Sequence, residues 1–352
     1  MTKKITVFLA LALTLAMVTG CAGTPVIYYT NCTCPVGSHT QEPTPPLAEG
    51  ALKTGLYIGT SVKDSVSATA EKAGETVYDV TIVAVTVDDK GIIRDCIIDS
   101  IKASVAFDST GAVTSDLTAD VLTKNELGED YGMKASGSKY EWNEQAAELA
   151  KYAKGKTVEQ LKNGAVNESG KAKDADLASV ATIYIGGYVN AIEAAVANAK
   201  HLGAQSGDTL KLAVISTTGS SVAATAEKAG TAQLDSDVVA LTEKDGVITS
   251  CYLDSLQAKV SFDATGTITT DITAAPKTKN ELGEDYGMKA WGNAKFEWNE
   301  QAANFAKYAT GKTADQVAGI AVTEGKPSGA DLSATVTIAI GGFQALIAKA
   351  MK

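Results

Sequence analysis

From Leu52 onward the chain is written almost twice. Thr123 to Ala135 (TKNELGEDYGMKA) returns letter for letter as Thr278 to Ala290, and Glu141 to Ala147 (EWNEQAA) returns as Glu297 to Ala303. Ala68 to Gly74 (ATAEKAG) returns as Ala224 to Gly230. The period is about 155 residues. Solenoid repeats recur every 20 to 50 residues or so, whereas about 100 to 150 residues is the usual size of an independent domain. Two tandem copies of one domain are therefore expected, residues 51–203 and 204–352. Gly203 and Ser206-Gly207 interrupt the pattern at the boundary.

Each copy reads as strands and then helices. Val77 to Val87 and Ile92 to Ile101 are rich in Val and Ile and flank Asp88-Asp89-Lys90-Gly91, a turn signal between apolar runs. Val238 to Leu241 and Val247 to Leu256 flank Lys244-Asp245-Gly246 in the same way. A third run, Lys102 to Phe107 or Ala258 to Phe262, ends at a further Asp- and Gly-containing turn. Trp142, Ala146, Leu149 and Ala153 then fall at helical spacing before Gly155, and Trp298 to Tyr308 does so before Gly311. A last helix is expected over Gly187 to Ala199 and over Gly342 to Lys349. Strands followed by helices, without βαβ alternation, predict an α+β domain with an antiparallel sheet and packed helices.

The chain begins as an exported protein does. Lys3 and Lys4 precede an apolar run from Ile5 to Val18, then Thr19, Gly20 and Cys21, the order of a cleavable signal peptide over residues 1–20. The run is shorter than the ~20 residues a spanning helix needs. Met17 to Cys21 resembles the lipobox of bacterial lipoproteins, which implies that the Cys21 thiol carries acyl chains such as palmitate. Five of the seven prolines lie in residues 22–50, so residues 21–50 read as an extended linker. Cys32 and Cys34 within it read as a disulfide or inert thiols, because a zinc site needs about four ligands and the only histidines are His39 and His201. The expected location is the extracytoplasmic face of the cell membrane, held by lipid.

Charge excludes one class of partner. Loss of Lys3 and Lys4 moves the formal net charge from −10 to about −12. Nucleic acid is held largely by Lys and Arg contacts to phosphate, and no basic run exists here.

Several chemistries fail on spacing. Gly155-Lys156-Thr157 and Gly311-Lys312-Thr313 lack the earlier glycine of a phosphate loop, since Ala150 and Ala306 stand there. His201 has no counterpart in the other copy, which leaves a Ser-His-Asp triad unsupported. Cys96 and Cys251 read as small core hydrophobes. Glu126, Glu129 and Asp130, with Glu281, Glu284 and Asp285, do not have the spacing of an EF-hand loop. No metal site is expected, and no acid/base catalytic residue emerges.

The approach to each final helix is more specific. The first copy reads Asp176-Leu177-Ala178-Ser179-Val180-Ala181-Thr182 and the second Asp331-Leu332-Ser333-Ala334-Thr335-Val336-Thr337, each followed shortly by Gly-Gly. These segments resemble the attachment motif of the FMN-binding domain family, Asp-x-x-Ser/Thr-Gly-Ala-Thr/Ser before a helix. Asp176, Ser179, Ala181 and Thr182 match, and Val180 replaces Gly. Asp331 and Thr337 match, whereas Ala334, Thr335 and Val336 replace Ser, Gly and Ala. The resemblance implies two FMN groups, joined by phosphoester to Thr182 and Thr337 and installed by an exported flavin transferase. Taken with the export signal, residues 50–352 look like the FMN-bearing lipoproteins of extracellular electron transfer in Gram-positive bacteria. That likeness implies an electron carrier rather than an enzyme, with a membrane quinol-linked donor and an extracellular acceptor such as ferric iron.

Blander readings stand beside these. Thr is a good strand residue, so Thr182 and Thr337 could simply belong to β-branched strands over Val180 to Ile185 and Thr335 to Ile340. Tyr131 and Tyr286, inside the repeated loop, are the best candidates to pack on a flavin ring, although Trp142, Trp291 and Trp298 compete and core packing is the commoner fate of aromatics. A non-redox surface lipoprotein that binds a ligand or cell-wall partner is the alternative function.

Overall fold

The computed structural model describes residues 50–352; the expected signal peptide, Cys21, Cys32, Cys34 and the linker up to residue 49 lie outside the described residues. In the first copy, β1 (Lys53–Ser61), β2 (Gly74–Val87) and β3 (Ile93–Phe107) form an antiparallel sheet in that order. The β2–β3 turn closes where the sequence places it. Asp88 Oδ1 accepts from the backbone N–H groups of Lys90 and Ile92, and Gly91 takes φ +76°, a conformation that suits glycine.

The runs read separately as Ile92 to Ile101 and Lys102 to Phe107 are one continuous strand. β1 lies outside the runs that read as strands, because Gly55 and Gly59 dilute its β propensity. Gly55 has a packing reason: a Cβ there would meet the Ala195 carbonyl oxygen at 2.1 Å.

Helices follow as α1 (Lys124–Leu127), a 3-10 turn over Gly128–Tyr131, α2 (Trp142–Ala153), α3 (Val158–Ala165), α4 (Ala175–Val180) and α5 (Gly186–Ala197). The second copy repeats the plan with β4 (Thr209–Thr217), β5 (Gly230–Lys244) and β6 (Val247–Phe262). Its helices are α6 (Lys279–Leu282), a 3-10 turn over Gly283–Tyr286, α7 (Met288–Gly292), α8 (Trp298–Ala309) and α9 (Ala314–Ala318). The short hairpin β7 (Val322–Thr323) and β8 (Lys326–Pro327) precedes α10 (Ala330–Ser333) and α11 (Gly341–Ala350). The described chain is thus α+β with antiparallel sheets.

Strand alternation builds a layered body. Val83, Val85 and Val87 face the helices of their own copy, with Trp142, Leu149 and Ile192 in one buried cluster. Their neighbours Tyr78, Val80, Ile82 and Ala84 face the other way and share a cluster with Leu234, Val238 and Ala240 of the second copy. The layers run helices, sheet, sheet, helices. Phe107 and Phe262 stack where the sheets meet, with ring centroids 4.1 Å apart and planes 2° from parallel. Beside them the copies exchange equivalent hydrogen bonds of 2.8 Å, Ala68 N–H to Gly266 and Ala224 N–H to Gly111. The boundary segment also joins the first copy, since Thr54 N–H donates to Lys200 and Leu52 N–H to Ala204.

Candidate functional site

Thr182 and Thr337 do not lie in strands. Residues 181–185 link α4 to α5 irregularly, and residues 334–340 link α10 to α11. The physical reason is a competing acceptor. Gln145 on α2 is fully buried, and its Oε1 accepts from the backbone N–H of Thr182 at 2.8 Å, that of Ile183 at 3.1 Å and the Thr182 hydroxyl at 3.2 Å. These donors are therefore spent on a side chain rather than on a strand ladder. Gln301 on α8 does the same, accepting from the Thr337 N–H at 2.8 Å and its hydroxyl at 3.1 Å.

The other end of each amide is also held. Gln145 Nε2 donates to the Tyr140 carbonyl at 3.1 Å, and Gln301 Nε2 to the Phe296 carbonyl at 2.9 Å. Four residues earlier, buried Glu141 accepts from the Met133 and Lys134 N–H groups, as Glu297 does from Met288 and Lys289. The two repeated peptides thus form one device. Glu and Gln of EWNEQAA grip the loop that ends TKNELGEDYGMKA on one side and a threonine on the other.

Both threonines are exposed. Each stands four residues before a helix start at Gly-Gly with no side-chain cap. The Gly187 and Tyr188 N–H groups, and those of Gly341, Gly342 and Phe343, have no partner among the described residues. Such a start offers free donors and the positive end of a helix dipole to an anion.

The remaining candidates fall in two groups. Asp176 and Ser179 lie exposed on α4, where the Ser179 hydroxyl donates to the Asp176 carbonyl, and Asp331 lies exposed on α10. Among the described residues their carboxylates make no hydrogen bond to the threonines. Tyr131 and Tyr286 are half-buried against the helical cores of their copies. Tyr131 and Trp142 hold the Lys124 ammonium over their rings at 5.0 and 5.1 Å, and Tyr286 and Trp298 hold Lys279 at 5.3 and 4.9 Å. Lys124 is 9% exposed, and neither lysine has a carboxylate partner among the described residues. Trp142 also donates to the Tyr188 hydroxyl at 3.1 Å. Trp291, by contrast, is 89% exposed and packs in neither core.

Sequence reasoning missed Gln145, Gln301, Glu141, Glu297, Lys124 and Lys279. The signal was present: all six fall in the peptides repeated without change.

Cys96 and Cys251 are buried, and burial pushes the Cys251 thiol up to about 12 and that of Cys96 higher still. Among the described residues no group of His, Cys, Asp and Glu could hold a metal ion, and no helix is long and apolar enough to cross a membrane. A groove of about 690 Å³ beside Cys251, Asn299 and Lys307, and its smaller equivalent beside Cys96, Asn143 and Lys151, do not include either threonine.

Comparison with protein-family models, with curated proteins and with solved structures finds no match to this chain.

Proposed function

We propose that this protein is a lipid-anchored electron carrier that bears one FMN on Thr182 and one on Thr337, each through a phosphoester to the hydroxyl. The reading rests on one repeated arrangement: an exposed threonine, pinned through its backbone by a buried glutamine, before an uncapped Gly-Gly helix start. A phosphodiester on that hydroxyl would carry a negative charge, and the free N–H groups of the helix start are suitable donors to it. FMN, when bound, supplies one- and two-electron chemistry itself, so the chain needs to hold and tune it rather than provide acid or base.

Attachment requires an outside catalyst. The Thr182 hydroxyl donates to an amide oxygen, which is no base. An exported flavin transferase would remove the hydroxyl proton while the oxygen attacks the flavin-side phosphorus of a flavin dinucleotide. The diphosphate bond breaks, and the adenosine monophosphate leaves. Asp176 and Asp331, exposed and unengaged, are suited to recognition by that enzyme. The covalent link keeps the cofactor outside the cell, and Cys21 with the proline-rich linker tethers the carrier between a quinol-linked membrane donor and an extracellular acceptor such as ferric iron.

The test is co-expression with a flavin transferase, followed by intact mass and visible spectrum. Two flavins are expected on the wild-type chain and one on each of Thr182→Ala and Thr337→Ala. A colourless, unmodified protein refutes the carrier, and two flavins on the double variant refute the assignment of sites. A non-redox binding lipoprotein is the second reading, and the 690 Å³ groove beside Cys251 and Asn299 is the observation that favours it.

A further inference from the structure

Where the two copies differ, several differences meet at one place. A cleft of about 830 Å³ runs between the outer part of β1, the start of α5 and the Ala275-Pro276-Lys277 segment of the second copy. Tyr57, Tyr184 and Tyr188 line it. The aligned positions in the second copy are Ala213, Ala339 and Phe343. Two of the three tyrosines depend on glycines. A Cβ at Gly59 would meet the Tyr57 hydroxyl at 2.5 Å, and one at Gly170 would meet the Tyr184 ring at 2.0 Å. Gly59 itself aligns with Ile215.

The two copies differ here in backbone pairing. In the first copy Val121 makes a β-bridge to Ser216 on the edge of the second sheet. Pro276 aligns with Val121, and proline has no N–H to donate to the corresponding edge of β1. Ile58 to Ser61 line the cleft at this edge. Thr60 lies there, 7% exposed, and its hydroxyl has no partner among the described residues. Tyr184 is 61% exposed although its ring rests on the Gly170 loop.

We infer that this cleft seats the isoalloxazine ring of the flavin carried on Thr182, and that the flavin on Thr337 has no such seat. The inference rests on the flavin reading above. Tyr184 is two residues from Thr182, so the attachment point and the aromatic surface belong to one short link. Tyrosine faces suit a flat conjugated ring by offset or edge-to-face packing. The two cofactors would then be unequal, one sheltered between the copies and one open to solvent.

The test uses the full lipidated chain in detergent, co-expressed with a flavin transferase, with flavin emission and iodide quenching measured per bound flavin. Thr337→Ala isolates the first flavin and Thr182→Ala the second. Tyrosine contact quenches flavin emission, so the first flavin is expected to be several-fold dimmer and less accessible to iodide. Tyr184→Ala should brighten it and leave the second unchanged. Pro276→Val, which restores the missing N–H and lets the cleft close, should expose the first flavin to iodide. Equal emission and equal iodide access, unmoved by Tyr184→Ala and Pro276→Val, overturn the seat alone. Absence of flavin from Thr337→Ala overturns the seat together with the reading beneath it.

Discussion

Gln145 holds Thr182 with a single atom, its side-chain oxygen, which accepts the threonine N–H at 2.8 Å and the hydroxyl at 3.2 Å. Gln145→Leu matches the volume and deletes the acceptor, leaving the Thr182 and Ile183 N–H groups without it. Lost buried hydrogen bonds of this kind cost roughly 1–3 kcal/mol each. The expected outcome is a less stable first copy and a marked fall in modification of Thr182, with Thr337 modified as before. Gln301→Leu should do the converse. Intact mass of each variant after co-expression with the transferase checks both.

How much of this was legible in the sequence follows from what each signal depends on. The β2–β3 turn was readable because Asp88 and Gly91 act locally. α2 and α8 were readable because one apolar face repeats at helical spacing. β1 was not, because its place is set by α5 pressing on Gly55, a contact some 140 residues away in the chain. Val180 to Ile185 misread as a possible strand because β-branching measures local preference, whereas Gln145 claims the backbone from another helix. The shared core was hidden for the same kind of reason: alternation in β2 shows two apolar faces but not what covers the second.

That shared core predicts that the copies unfold as one cooperative body. Phe107 and Phe262 are both fully buried and stack on one another between the sheets. Phe107→Ala is expected to cost about 3–5 kcal/mol. Because the pair is in direct contact, the double alanine variant should lose less than the two single losses added. Calorimetry of residues 50–352 should show a single transition; two well-separated transitions would mean that each copy stands by itself.

Lys124 and Lys279 place a positive charge over Tyr and Trp rings, with no carboxylate partner among the described residues. Trp142 connects this charge to Tyr188 in the first turn of α5, next to the proposed phosphate position. Lys124→Met keeps most of the stem and removes the charge. The fold should lose no more than ~1–2 kcal/mol, the scale of cation–π contacts. If the charge supports a reduced, more electron-rich flavin, the potential of the Thr182 flavin should fall by about 20 mV, equivalent to ~1 kcal/mol for two electrons. Potentiometric titration in the Thr337→Ala background reads this directly, and Lys279→Met serves as the control that should leave that flavin unmoved.

Asp99 and Asp254 occupy equivalent places beside α1 and α6, where each accepts the N–H of Asn125 or Asn280. Burial pushes both up to about 6, against the hydrogen bonds from Ser100 and Asn125, or from Ser255 and Asn280, that favour the charged form. Nearby Glu126 and Glu281 push in the same direction as burial. An unfolded aspartate titrates near 3.9, so between roughly pH 4 and pH 6 the folded chain holds more protons than the unfolded one. Stability from these two groups is therefore fully present below about pH 4 and is lost as pH rises through about 6. The loss is on the order of 2–3 kcal/mol per carboxylate. Asp99→Asn and Asp254→Asn, which keep an acceptor without the charge, should flatten that slope and stabilise the chain at pH 7. Urea unfolding of residues 50–352 at pH 4, 5, 6 and 7 provides the measurement, and an unchanged slope in the double variant would place the pH dependence on other groups.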